Sequence, residues 1–273
     1  MIYPISFSIP ACKIIDKVPE KTKEVATVIP GNTSTYIFTE ESDYYSDYQS
    51  SIFAYTKKKA GWDCLRHYEI LANGCMPIFE NLKDCPPQTM VHFPKEIIMK
   101  QDSADIPLLL EYTRKHLTTK AMAQYVLNKS GIEAKSILFL SGNTYPDYMR
   151  CLTLHGFKEL FGSDCHDYPR IDHLYTDYPT PQNLYGKGMT YTRLLDPSIR
   201  NPENDSTLEA DIKSKKYDAI VYGNVHRGLP FFDLVKASYP ADNIILICGE
   251  DEHPECQLKI LGSEGYNVFI REL

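Results

Sequence analysis

The densest group of chemically capable side chains lies in the run Thr56-Lys-Lys-Lys-Ala-Gly-Trp-Asp-Cys-Leu-Arg-His-Tyr-Glu-Ile-Leu-Ala-Asn-Gly-Cys-Met-Pro-Ile-Phe79. Asp63 and His67 are groups able to take a proton from a hydroxyl, with Asp63 the first choice of general base and His67 the second. Lys58, Trp62, Arg66 and Glu69 stand beside them. Cations, a flat ring and a carboxylate together suit a phosphorylated, hydroxyl-bearing ligand. A helix beginning at Cys64 with Asp63 as its N-cap would turn free N–H groups toward the lysines and offer a seat for a diphosphate or a developing oxyanion. The plainer reading of the same residues is a surface helix with an Arg66–Glu69 pair, a solvated His67 and a solvated lysine run.

The elements that must hold these groups follow from periodicity. Leu65, Tyr68, Leu71 and Ala72 form an apolar stripe, while Arg66, Glu69 and Asn73 share another face. Gly74 suits the left-handed position after a helix, and Pro77 stops continuation. Upstream, Tyr36–Phe38 and Ser51–Thr56 are strand candidates. Downstream, helices are expected from Ile106, with Asp105 as cap and Pro107 in the first turn, and over Thr119–Leu127, ending by Gly131.

After residue 130 strands and helices alternate. Ser136–Leu140, Tyr217–Tyr222, Asn243–Cys248 and Asn267–Ile270 are continuous apolar runs, which implies strands covered on both faces in a parallel sheet. Asp147 would cap the helix after the first of them, and Pro230–Lys236 reads as a helical turn. Residues 165–205, rich in Tyr, Pro and Asp, read as a long irregular excursion of a functional or mobile kind. The fold class expected is α/β: two Rossmann-like lobes, 1–130 and 131–273, with parallel sheets facing across a cleft.

Parallel sheets bind ligands beyond the carboxyl ends of their strands. Three such ends carry small residues beside polar ones: Gly142 and Asn143 before Arg150, Gly223-Asn224 before His226 and Arg227, and Gly249 before Glu250 and Asp251. Arg150 and Arg227 suit phosphate oxygens, and Glu250 or Asp251 a ribose diol. The adjacent acids and histidine of Glu250-Asp-Glu-His253 cannot all face one ion, so no metal site is expected.

The segment Arg66-His-Tyr-Glu-Ile-Leu-Ala-Asn-Gly-Cys-Met-Pro77 resembles the R-x-x-E-A-L-x-x-G-C-x-P segment of exostosin-like glycosyltransferases of GT-B architecture. The wider run from about Tyr44 to Lys95 is similar to proteins of this kind encoded by large DNA viruses of algae, chlorovirus xylosyltransferases among them. The resemblance implies a metal-independent transfer of a sugar such as xylose, with inversion, from a UDP-linked donor to a glycan or glycoprotein acceptor. It gives Glu69 the donor's ribose or sugar hydroxyls and Arg66 the diphosphate, with no cofactor besides the nucleotide-sugar substrate. In most GT-B enzymes this segment lies in the C-terminal lobe, whereas here it precedes the fuller α/β half. Either the lobes are permuted, or the segment serves the acceptor side and residues 131–273 hold the nucleotide. A non-catalytic nucleotide-sugar or glycan-binding module of the same fold is the alternative.

Composition sets the outer bounds. The 273 residues carry a formal charge of -7, with a pI near 5.6, which argues against tracking nucleic-acid phosphates. A mean hydropathy of -0.33 and the lack of any apolar run near 18 residues exclude a spanning helix. The opening residues Met1–Pro10, interrupted by Pro4 and Pro10, do not read as a secretory signal, so a cytoplasmic location (of a host cell, for a viral protein) is expected. The eight cysteines show no C-x-x-C spacing and read as free thiols. Asp-x-Asp, P-loop and G-x-S-x-G patterns are missing, and His67-Tyr-Glu69 lacks the P-C-x-x-C of zinc deaminases.

Overall fold

Apolar strands without polar alternation must be covered on both faces, and the structure covers them so. The computed structural model describes residues 1–251 and 261–273. In chain order come strand β1 (Ile2–Pro4), β2 (Lys23–Val25), helix α1 (Glu41–Ser50), β3 (Ser51–Thr56), α2 (Leu65–Ala72) and β4 (Met76–Phe79). Helices α3 (Lys95–Met99), α4 (Ile106–His116) and α5 (Thr119–Ser130) follow, then β5 (Ile137–Leu140), α6 (Tyr148–Phe161) and β6 (Cys165–Tyr168). The chain closes with α7 (Glu203–Lys213), β7 (Ala219–Tyr222), α8 (Phe232–Ser238), β8 (Ile244–Cys248) and β9 (Asn267–Ile270).

The strands form two parallel sheets, one in the order β1-β9-β8-β7-β5-β6 and one in the order β2-β3-β4. Strands β5 to β9 follow the 2-1-3-4-5 order of flavodoxin-type doubly wound sheets, with the order reversing between β5 and β7. Register aligns their carboxyl ends: Leu140 lies opposite both Tyr168 and Tyr222, and Cys248 opposite Ile270. Alternate strand residues feed two cores. Ile137, Phe139, Val221, Ile245 and Phe269 face one side, and Leu138, Leu140, Ile220, Leu246 and Val268 the other.

The first of these cores also takes in Leu65, Tyr68, Leu71 and Ala72, the whole stripe expected of α2, together with Leu109 of α4 and Met122 of α5. The apolar interior therefore crosses residue 130 without a break, and β1 from the N-terminal end completes the larger sheet. Burying a helix such as α2 in this way stabilises by about 1.5–3 kcal/mol for each fully buried Leu-sized side chain. Gly74 follows α2 with φ 62°, the left-handed value that position needs.

Several elements differ from the sequence expectation. Tyr36–Phe38 is not a strand: Asn32 closes a tight turn by accepting the Ser34 N–H, and the chain winds on toward α1. Neither Asp63 nor Asp105 caps a helix through its side chain; α2 starts one residue later than expected, at Leu65. Asp147 does cap α6, accepting the Arg150 N–H at 3.0 Å. Strand β6 and the start of α7 occupy the ends of the segment read as irregular. Strand β6 is Cys-His-Asp-Tyr, polar yet buried, because Asp167 meets Lys158 at 2.9 Å and His166 meets Asp205 at 2.8 Å. Among the described residues no helix is long and apolar enough to cross a membrane.

Candidate functional site

Between the carboxyl ends of the two sheets lies a hollow of about 680 Å³, within the size range of small-molecule sites. Asp63, Arg66 and Glu69 line it from the small-sheet side; Arg227, Glu250 and Asp251 line it from the large-sheet side. Six cationic side chains face five carboxylates there, the other cations being Lys57, Lys59, Lys187 and Arg271 and the other acid Asp147. In a chain of charge -7 this is a local reversal of sign. Phe7, Tyr36, Phe38, Tyr148 and Tyr185 add flat apolar surface.

Asp63 sits at the centre of the join. Its carboxylate accepts the Phe7 N–H at 2.6 Å and the Tyr68 hydroxyl at 2.9 Å, and the residue is only 2 % exposed. Burial raises its pKa to about 6, against the pull of Arg271 and of these two donors. A carboxylate poised there ionises at neutral pH yet remains basic enough to accept a proton.

Arg66 and Glu69 lie one turn apart on α2 but are not a solvated pair. Glu69 is buried, accepts the hydroxyls of Tyr44 (2.8 Å) and Thr190, and has a raised pKa chiefly through burial. Arg66 lies over the Tyr36 ring at 5.3 Å, and its buried Nε has no hydrogen-bond partner among the described residues. Arg66 as a whole is only partly buried and lines the hollow.

His67 faces the other way. A carbonyl only accepts, so Nε2–H donates to Trp62 O (2.9 Å) and Nδ1 accepts from Thr56 Oγ1 (2.7 Å). Burial lowers its pKa to about 3, which keeps it neutral. Trp62 and Lys58 also lie outside the hollow's lining, with the Lys58 ammonium 5.1 Å from the indole centre.

On the large-sheet side the polar groups meet one another. Arg150 is fully buried and donates to the carbonyls of Asn143 and Tyr145. Asn224 donates to Asp147 at 2.7 Å and to Glu250 at 3.2 Å, and His226 Nε2 lies 3.2 Å from Cys248 Sγ. Gly142 is where the loops after β5 and β7 touch: a Cβ there would stand 2.0 Å from the Arg227 carbonyl oxygen. The point where strand order reverses is thus closed by backbone packing. Arg227 reaches the hollow, paired with Asp147 at 2.9 Å and one-third exposed.

Two further residues complete the site. Arg271, just past β9 and 2 % exposed, donates to the carbonyls of Asp63 (2.5 Å) and Gly249 (2.8 Å) and to the Asp251 carboxylate. Burial works against its charge, and Asp63, Glu272 and Asp251 more than restore it, so its pKa is raised. Glu272 accepts the N–H groups of Trp62 (3.0 Å) and Asp63 (2.9 Å). The signal for both was their place at the carboxyl end of a parallel strand, the same rule that picked out the other loops. The irregular stretch after β6 contributes Tyr185 and Lys187 to the wall.

Cys12, Cys64, Cys75, Cys85, Cys151, Cys165 and Cys248 are unpaired; Cys256 lies outside the described residues. Among the described residues no group of three or more His, Cys, Asp or Glu is arranged to hold a metal ion, and Glu252 and His253 of the acidic run lie outside them. Compared with protein-family models, with curated proteins and with solved structures, the chain matches none of them.

Proposed function

We propose that this protein is a glycosyltransferase of GT-B type that moves a sugar from a UDP-linked donor to a glycan acceptor with inversion, without a metal ion. The observation that carries the reading is Asp63, a buried carboxylate with its pKa near 6 in the wall of a hollow of about 680 Å³ where six cationic side chains face five carboxylates. Asp63 takes the proton of the acceptor hydroxyl as that oxygen bonds to the anomeric carbon; the bond from that carbon to the diphosphate breaks, and the electron pair leaves with UDP. Arg66 and Arg227, with Lys57 and Lys59, stabilise the departing diphosphate, while Arg271, whose three nitrogens are already engaged, holds the Asp63 backbone in place. Glu69, oriented by Tyr44 and Thr190, holds donor hydroxyls.

Thermal melting with a panel of nucleotide sugars tests the reading. UDP and a UDP-sugar are expected to raise the midpoint equally with and without EDTA, since ligands of the folded state stabilise it. No shift with any nucleotide or nucleotide sugar would overturn it. A shift in the wild type with no turnover on any acceptor would favour a non-catalytic binding module instead.

A further inference from the structure

A second hollow of about 660 Å³ opens at the carboxyl ends of β3 and β4 and shares Thr56 and Lys57 with the first. The carboxyl ends of parallel strands are where α/β sheets present ligand crevices. Its walls are mainly apolar, and three of the ten large apolar side chains exposed among the described residues converge on it: Ile29 (42 %), Tyr55 (42 %) and Met99 (48 %). Clustered exposed apolar groups in a concave site mark a ligand surface. Glu80, Asn81 and Gln101 give it a polar rim.

We propose that this second hollow is the acceptor subsite, and that it takes an acceptor whose sugar is joined to an aromatic group. The inference rests on the sugar-transfer reading, which requires a second substrate beside the donor. The Tyr55 ring and the Met99 thioether favour an aromatic occupant over an aliphatic one, through ring packing and sulfur–aromatic contact. Thr56 and Lys57 line both hollows, so an acceptor whose aromatic end sits in the second places its sugar end beside the first. A fully polar oligosaccharide would leave the apolar floor uncovered.

Methyl-labelled methionine separates the two hollows in one spectrum, because Met149 and Met189 line the first and Met99 the second. The seven methionine signals are assigned by single Met→Leu variants. p-Nitrophenyl β-D-glucopyranoside is expected to shift Met99 at concentrations about tenfold lower than methyl β-D-glucopyranoside needs. UDP is expected to shift Met149 or Met189 alone. Met99→Glu, an exposed change that folding should tolerate, is expected to abolish the tenfold preference and leave the UDP response intact. If UDP moves its reporters and the aryl glycoside leaves Met99 still, or the two glycosides act alike, the acceptor inference is overturned and the donor reading stands. If the aryl glycoside moves Met99 while UDP moves nothing, the transfer reading fails and the hollow remains an aryl-glycoside site.

Discussion

The two walls of the main hollow are built from similar residue types and behave differently. On the small-sheet wall, among the described residues, Arg66 keeps a buried Nε without a partner, and the Asp63 carboxylate accepts hydrogen bonds from Phe7 and Tyr68. On the large-sheet side, Asp147 in the wall is paired with Arg227 and Asn224. Behind it the terminal nitrogens of Arg150 are tied to carbonyls, and Gly142 is covered by the Arg227 backbone. The Arg150 Nε also lacks a partner among the described residues, but Arg150 is fully buried and does not line the hollow. A buried polar group is costly unless paired, so a loop rich in polar residues at a sheet edge tends to zip itself closed. Ligand capacity therefore lies where pairing is incomplete, on the wall formed by residues 56–69 and on Arg227 where it reaches past Asp147.

Substitutions separate the walls, and the largest effect is expected at Asp63. Asp63→Asn keeps an acceptor for the Phe7 N–H but cannot take a proton, so initial-rate assays are expected to show transfer falling by about 10²–10⁴-fold while donor binding survives. Arg66→Ala and Arg150→Ala form the decisive pair. Arg66→Ala is expected to weaken UDP binding by about tenfold or more, the loss of one charge-assisted contact, with the urea midpoint nearly unchanged. Arg150→Ala is expected to lower unfolding stability by about 2–4 kcal/mol, since it leaves buried carbonyls unpaired and a void. Equal effects on binding from both arginines would erase the distinction between the walls.

Acidity gives a smaller, graded effect. With Asp63 as the proposed base, ionising near 6, the rate is expected to fall about tenfold per pH unit below that value and to be level above it. His67, neutral down to about 3, adds no limb in this range. A rate profile unchanged from pH 7 to pH 5 would remove Asp63 from its role. Lys58→Ala is expected to change turnover less than about twofold, because that ammonium lies over Trp62 outside the lining and an exposed contact of this kind contributes little.

Much of the scaffold was legible because it depends on local pattern. The apolar runs at β5, β7, β8 and β9, the stripe of α2 and the left-handed Gly74 all reflect short-range rules. Elements whose buried residues are polar were hidden. Strand β6 looks like loop until Lys158 is seen beside its aspartate and Asp205 beside its histidine. Helix α1 buries Asp47 with three tyrosines and shows no clean apolar stripe.

At the site, Asp63, Arg66, Glu69, Arg227, Glu250 and Asp251 could be chosen by residue type and position, and they line one hollow. Arg150, Asn224, His226 and His67 satisfy the same criteria and point elsewhere, because side-chain direction is set by partners distant in sequence. Arg271 shows the converse. Its place after a strand was legible, but its partner Asp63, 208 positions away in sequence, was not.

Isothermal titration of UDP in EDTA against the wild type, Arg66→Ala and Lys58→Ala bears most directly on the claim that the small-sheet wall receives the diphosphate. The account predicts saturable binding to the wild type and to Lys58→Ala, and binding at least about tenfold weaker to Arg66→Ala. Undiminished binding to Arg66→Ala, or no binding to the wild type, would contradict it.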